Sequence, residues 1–371
     1  MIIKAFLTMK KLVLLCCSLL VFVACQNEQD KHVVNPQLPK LNEIWYTNGS
    51  TTEATNPFRM DMVFNHFHAY ILSNTYDAEE EHWVIEFDRS LTKISGSAFN
   101  NCTDLVSIYI PDSVSKIGSS VFSGCSGLES FHGKFASKDC RSLIVDNTIV
   151  AYAQASGTEY AIPDGVTTIG ASTFYGCANL ESVTIPDSVT ALEEYAFGSC
   201  VSLKTVTLPN SITSTNGHSF YDCSGLESIV IPESLTKIGD YEFCGCSSLV
   251  SVTMSDAVTS IGDCAFAMNT SLASIELPKS LTKMGRSAFN TCSSLESVTI
   301  PDRVTSIGSS AFHNCSSLVS VSCRAYVPPV GGEKMFANNA EGRKIYVPSG
   351  TVSLYRAAEH WKDYSSDVES L

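Results

Sequence analysis

Ile185-Pro186-Asp187-Ser188-Val189-Thr190 opens a stretch that continues through Ala196-Phe197 and Cys200 and closes on Leu203-Lys204-Thr205-Val206-Thr207. The same frame recurs every 23 residues, in seven tandem units over 162–322 with no insertion. Phenylalanine stands at 174, 197, 220, 243, 266, 289 and 312, and leucine at 180, 203, 226, 249, 272, 295 and 318. Two upstream units, 87–109 and 110–132, carry Phe99, Phe122, Leu105 and Leu128 in the same phase. A unit this short cannot bury its apolar face alone, so neighbouring units must stack.

Stacking at the strand spacing of about 4.8 Å makes a rod of roughly 34 Å from seven coils. The Phe column, the Leu column and the aliphatic column at Val166, Val189, Ile212, Leu235, Val258, Leu281 and Val304 then form one continuous core. Within a coil, Leu-x-x-Val-x-Ile-Pro predicts a strand. Proline at 163, 186, 209, 232, 278 and 301 ends it, having no N–H to continue a ladder. Val258-Thr259-Ser260-Ile261-Gly262 predicts a second short extended segment and a turn, and Ala-Phe-x-x-Cys one helical turn.

The Ile-Pro-x-Ser-Val-Thr-x-Ile-Gly-x-x-Ala-Phe-x-x-Cys-x-Ser-Leu frame closely resembles the BspA-like leucine-rich repeats of surface proteins in Bacteroides and related bacteria. The resemblance covers about residues 87–322. The expected fold is a repeat solenoid: a right-handed, β-rich leucine-rich-repeat coil stack with short helical turns, a parallel sheet on the concave face and capped ends.

The chain has 15 cysteines. Eight of them, at 102, 125, 177, 200, 223, 246, 292 and 315, share one repeat position, where the unit of Phe266 has Asn269 instead. Stacked neighbours bring Cα atoms to about 5 Å, but parallel side chains keep their Cβ atoms equally far apart, and a disulfide wants about 3.8 Å. Buried thiols acting as small apolar groups are therefore expected. Asn269 fits that reading, because its amide can satisfy buried backbone groups. Cys244-x-Cys246 has no second pair at ligand spacing, so no metal site is expected. Cys140, Cys264 and Cys323 stand apart as isolated residues.

Lys10 and Lys11 precede an apolar run over 12–23, too short to span a bilayer but long enough for a signal peptide. Ala24-Cys25 at its end resembles a bacterial lipobox, with Phe22 where leucine is usual. Residues 1–24 are expected to be removed and Cys25 lipidated, and 25–40 to form a flexible tether. Glu28 and Asp30 resemble the acidic export signals of Bacteroides-type surface lipoproteins. Loss of Lys4, Lys10 and Lys11 takes the net charge from −14 to −17. That balance disfavours binding to nucleic acid or to an anionic membrane surface, leaving the lipid as the membrane contact.

Residues 41–86 are expected to form an N-terminal β cap, with strands at Glu43-Ile44-Trp45-Tyr46-Thr47 and Trp83-Val84-Ile85-Glu86-Phe87. His66 and His68 lie between them and read as surface histidines, for want of a third ligand. After the two units of 87–132, residues 133–161 break the period and predict a β-hairpin turning at Asp146-Asn147. That segment is read as a looped-out or enlarged coil, or else as a loop that shapes a binding site. After the seven units, residues 323–371 predict a strand over 344–348 and a helix capped by Ser349 or Thr351, with Tyr355, Ala358 and Trp361 facing the last coil. Protected ends imply a monomer.

Outward positions on the predicted strands are Ser182, Thr184, Thr205, Thr207, Ser228, Val230, Ser251, Thr253, Ser274, Glu276, Ser297 and Thr299. This hydroxyl-rich concave face is the candidate binding face, and these predicted strands offer no aromatic platform. His132, His218 and His313 have no repeated acidic or nucleophilic partner, and no phosphate loop, H-E-x-x-H or G-x-S-x-G motif occurs. Asp112-Ser113-Val114 and Asp187-Ser188-Val189 resemble a Bacteroides-type O-glycosylation acceptor, although the repeat frame accounts for the same residues. The expected function is that of a non-enzymatic lipoprotein of the bacterial outer membrane and cell surface, needing no cofactor. It would mediate adhesion or protein binding, with host and extracellular-matrix proteins as candidate partners. A structural or accessory cell-envelope lipoprotein without a host ligand is the competing reading.

Overall fold

The computed structural model describes residues 38–51, 54 and 66–371. The expected signal peptide, Cys25 and most of the tether lie outside the described residues, as does part of the expected N-terminal cap.

Most repeats contribute one strand to each of two parallel walls. On the first wall, Glu159–Ala161, Ser182–Thr184, Thr205–Thr207, Ser228–Ile231 and Ser251–Met254 pair in parallel, and a second sheet continues through Ser297–Ile300 and Ser320–Cys323. Ser182 faces Thr205 and Thr205 faces Ser228, so the pairing register equals the sequence period. Inward Val183, Val206, Ile229 and Val252 are buried between outward hydroxyls, the alternation that a one-sided sheet requires. The second wall is built of two-residue strands such as Thr168–Ile169, Ala191–Leu192, Ser260–Ile261 and Lys283–Met284. Threonine precedes these strands, and Thr282 Oγ1 donates to the Thr259 carbonyl one coil back at 2.9 Å. The glycine after them is required by close approach: a Cβ on Gly308 would lie 2.4 Å from the carbonyl carbon of Gly285.

The Ala-Phe-x-x-Cys segment is a run of turns and not the expected helical turn. Two left-handed residues four apart interrupt it in each coil, as at Tyr195 (φ 56°) and Ser199 (φ 57°). That geometry points alternate N–H groups at the next coil: Phe174 donates to the Ala196 carbonyl at 2.9 Å and Phe243 to Ala265 at 2.8 Å. A helix would close those bonds within the coil and leave the stack unlinked on this side.

The phenylalanines form the central column. Rings from Phe174 to Phe312 stack at 4.9–5.5 Å with interplanar angles of 4–13°. Phe336 extends the column beyond the last regular unit, and Trp361 and Tyr364 close it. The cysteine column is buried and none of its thiols is in a disulfide. Six of the eight thiols share one kind of partner, which the sequence did not suggest. Cys125, Cys200, Cys223, Cys246, Cys292 and Cys315 donate to the carbonyl of the phenylalanine 26 residues earlier, at 2.9–3.2 Å.

Asn269 behaves differently from the cysteines it replaces. Its Nδ2 donates to Phe266 of its own coil at 2.9 Å, and its buried Oδ1 has no partner. The first wall breaks at this coil. Ser274 and Glu276, expected in a strand, have no ladder partner on the preceding strand, although Ile275 stays buried.

Residues 133–161 form an enlarged coil and not a detached loop. Ser142–Val145 and Thr148–Tyr152 pair antiparallel, and Asp146 and Asn147 both take positive φ in the tight turn. Thr148–Tyr152 also pairs in parallel with Thr168–Ile169, filling a second-wall slot. Tyr152 then takes the place of the missing phenylalanine, 5.0 Å from Phe174.

At the N-terminal end Glu43–Thr47 pairs antiparallel with both His82–Phe87 and Ser107–Tyr109, so the capping strands extend the first wall. At the C-terminal end the helix is only Val352–Ala357. Thr351 precedes it without a side-chain cap, its hydroxyl turned to the Pro348 carbonyl at 2.8 Å. Trp361 lies beyond the helix, where its Nε1 donates to Pro329 at 2.8 Å and its ring meets Tyr355 edge-on. The last ladder position is taken by Val368–Ser370, a strand not foreseen from the sequence, which pairs in parallel with Lys344–Val347.

Candidate functional site

All twelve side chains expected on the binding face point outward, half-buried or exposed. Pairing brings them into two columns. One runs Ser182, Thr205, Ser228, Ser251 and the other Thr184, Thr207, Val230, Thr253. Ser297 and Thr299 resume the columns after the gap at Ser274 and Glu276. The surface between Ser182 and Thr253 is a rigid lattice of hydroxyls, interrupted by exposed Val230. Glu181 and Lys204, just before the strands, pair at 3.2 Å, and Glu227 is exposed in the same column one coil on.

The enlarged coil adds a cavity of about 330 Å³ next to these columns, lined by Ala155, Gly157, Thr158, Asn179, Glu181 and Ser202. Arg141 holds the loop that forms its rim. Its guanidinium donates to Tyr152 Oη at 2.7 Å, Ser156 Oγ at 3.0 Å and the Glu159 carbonyl at 2.6 Å.

The same wall carries aromatic rings nearer the N-terminus, in a part of the strand face for which the sequence reading named no side chains. Tyr109 and His132 occupy the repeat position that holds Thr184 and Thr207 further on, and Trp45 faces Tyr109 across the capping strand. His82 stacks behind Trp45 at 4.2 Å. Glu43 Oε2 accepts from Trp45 Nε1 at 3.1 Å, and the hydroxyl of Ser130 lies 3.1 Å from His132 Nε2. Burial holds the His132 imidazole below its ordinary pKa, favouring the neutral ring. Tyr109 and His132 were detectable from the repeat phase alone. Trp45 was not, because its strand runs against the repeat direction.

His218 lies between Tyr195 and Tyr241, at 4.5 and 4.7 Å, and His313 Nε2 meets the Asn338 amide at 3.2 Å. Among the described residues no group of three or more His, Cys, Asp and Glu side chains is placed to hold a metal ion. No described helix is long and apolar enough to cross a membrane. The Ser113 hydroxyl donates to the Leu41 carbonyl at 2.8 Å, and Ser188 Oγ accepts from the Gly165 N–H at 3.3 Å.

One buried group departs from the frame. Glu242 occupies a position held by Ala196, Ala265, Ala288 and Ala311 in other coils, and neither carboxyl oxygen has a hydrogen-bond partner. Burial pushes its pKa up to about 7, partly offset by the nearby Ser219 and Thr215 hydroxyls. The second wall is interrupted beside it, between Ser214–Thr215 and Lys237–Ile238.

A search of curated proteins finds no match. A leucine-rich cell-surface protein from Faecalibacterium prausnitzii is similar in structure, at 28% identity and a TM-score of 0.44 over 72% of this chain and 79% of that one. A leucine-rich-repeat protein from Bacteroides ovatus has 21% identity and a TM-score of 0.43 over 80% and 90% of the two chains. One from Eubacterium ventriosum has 27% identity and a TM-score of 0.41 over 50% and 58%. The family described as "BspA type Leucine rich repeat region" matches in six copies over residues 67–140, 148–269 and 236–358. With well over half of its length matched, the chain belongs to the BspA-type leucine-rich-repeat family.

Proposed function

We propose that this chain is a non-catalytic lipoprotein of the bacterial cell surface, anchored through Cys25, that binds an extracellular protein by its first-wall strand face. The observation that carries this reading is the pair of outward columns from Ser182 to Thr253. Their inward neighbours are consumed by the core, whereas these side chains are held in fixed register with no internal task. A preorganised surface loses little entropy on docking. The family membership agrees with a protein-binding role.

The test has two parts. Protease treatment of intact cells should remove the protein, and Cys25→Ser should abolish incorporation of labelled palmitate. The purified protein should then capture a matrix or host protein, and Thr205→Arg with Ser228→Arg should abolish capture without lowering the melting temperature. Protection from protease until cells are opened would favour an internal envelope role. Capture unchanged by the arginines would refute the strand face as the binding surface.

A further inference from the structure

The strand face changes chemistry toward its N-terminal end. Where the downstream coils present threonine, it presents Trp45, Tyr109 and His132, all half-buried, in one row across three strands. The ring centroids are 6.4 Å apart from Trp45 to Tyr109 and 6.4 Å from Tyr109 to His132. An extended chain advances about 3.2–3.4 Å per residue, so its alternate side chains recur at about 6.4–6.8 Å. The pitch of the row therefore matches every second residue of a segment lying across the strands.

The charge around the row has one dominant sign. Burial, and after it the nearby Asp112 carboxylate, raises the pKa of the Tyr109 phenol; Glu86 faces Glu43 across the cap, and Asp77 faces His82. Glu129 is exposed just before the strand of His132. Of the cations nearby, Lys40 pairs with the Glu43 carboxylate at 2.8 Å, whereas Lys134 donates to the Asp112 backbone carbonyl at 2.6 Å and keeps its charge. Aromatic rings attract cations, and surrounding carboxylates strengthen that attraction.

We propose that the Trp45–Tyr109–His132 row binds an extended, basic segment of a protein partner and seats Lys or Arg side chains of alternate residues on successive rings. This rests on reading the strand face as a protein-binding surface, and it assigns the partner's chemistry at one end of that surface. It also distinguishes the two ends. The downstream hydroxyl lattice contributes shape and hydrogen bonds, whereas the row supplies anchor side chains of the kind that dominate binding energy.

The probe is a synthetic peptide of alternating Lys and Thr, compared with an isomer of equal composition in Lys-Lys-Thr-Thr blocks. Both are titrated into the full-length mature protein, with tryptophan fluorescence and calorimetry as readouts. The alternating peptide should bind about tenfold tighter, the gain from two or three exposed cation–π contacts. The triple variant Trp45→Thr, Tyr109→Thr, His132→Thr should lose that preference, while Trp45→Phe, which keeps a ring, should retain it. Equal binding of the two isomers would overturn the proposal. So would a preference that survives the triple variant, or displacement of the peptide by a neutral chitin oligosaccharide. If Thr205→Arg with Ser228→Arg leaves partner capture intact while the peptide preference holds, the broader strand-face reading fails and the ring row stands.

Discussion

Glu242 supplies the sharpest test of the physical reasoning. Its carboxyl sits in the core with no hydrogen-bond partner, and its pKa is raised from the ordinary 4.5 to about 7. At 1.36 kcal/mol per unit, that difference amounts to about 3 kcal/mol of stability linked to one proton. The sign follows from the direction. The folded state holds the proton more tightly than the unfolded chain, so this contribution is fully present below pH 4.5. It is lost as pH rises toward 7 and through it. Glu242→Gln keeps the volume and removes the titration. Guanidinium unfolding of wild type and variant from pH 4 to pH 8 should give midpoints that diverge, the variant gaining as pH rises. Glu242→Ala, which restores the residue of the other coils, should show the same divergence. Parallel pH profiles for wild type and Glu242→Gln would refute the claim that this carboxyl is buried and unpaired.

Asn269→Cys should stabilise the protein by about 1–3 kcal/mol by removing the orphaned Oδ1. It should also slow amide exchange at Ile275 and Glu276 by restoring a thiol donor toward Phe243; unchanged exchange would separate the sheet gap from Asn269. Phe289→Ala, within the ring column, should cost about 3–5 kcal/mol, read from the denaturation midpoint. Burial holds the Cys200, Cys223, Cys246 and Cys292 thiols well above the ordinary range. A thiol reagent at pH 8 should therefore label half-exposed Cys264 in the native protein and the column only after unfolding. Early labelling of the column would contradict its assignment to the core. Intact-mass measurement of protein from its native host would show whether Ser113 or Ser188 carries a glycan.

The candidate face was legible in the sequence because outward positions obey the strand alternation within each coil. What the period could not convey was where that face is interrupted. Ser274 and Glu276 fit the pattern as well as Ser251 and Thr253 do, yet they lack ladder bonds to the preceding coil. The ring row was half legible. Tyr109 and His132 are in phase, but Trp45 reaches the row through an antiparallel pairing that no 23-residue offset describes.

By itself, then, the sequence determined the stacked array, its Phe, Leu and Cys columns and the burial of the thiols. Each of these depends only on a residue's place within one coil and on the identity of its neighbours one period away. The tertiary structure decided the rest. Left-handed residues such as Tyr195 arise because backbone N–H groups must bond to the next coil. Tyr152 stands in the phenylalanine column because the enlarged coil fills a ladder slot, and Val368–Ser370 becomes a strand because an open edge remains there. At ends and interruptions there is no repeat neighbour to copy. The chain is placed instead by whichever backbone groups and apolar surfaces the regular array leaves unsatisfied.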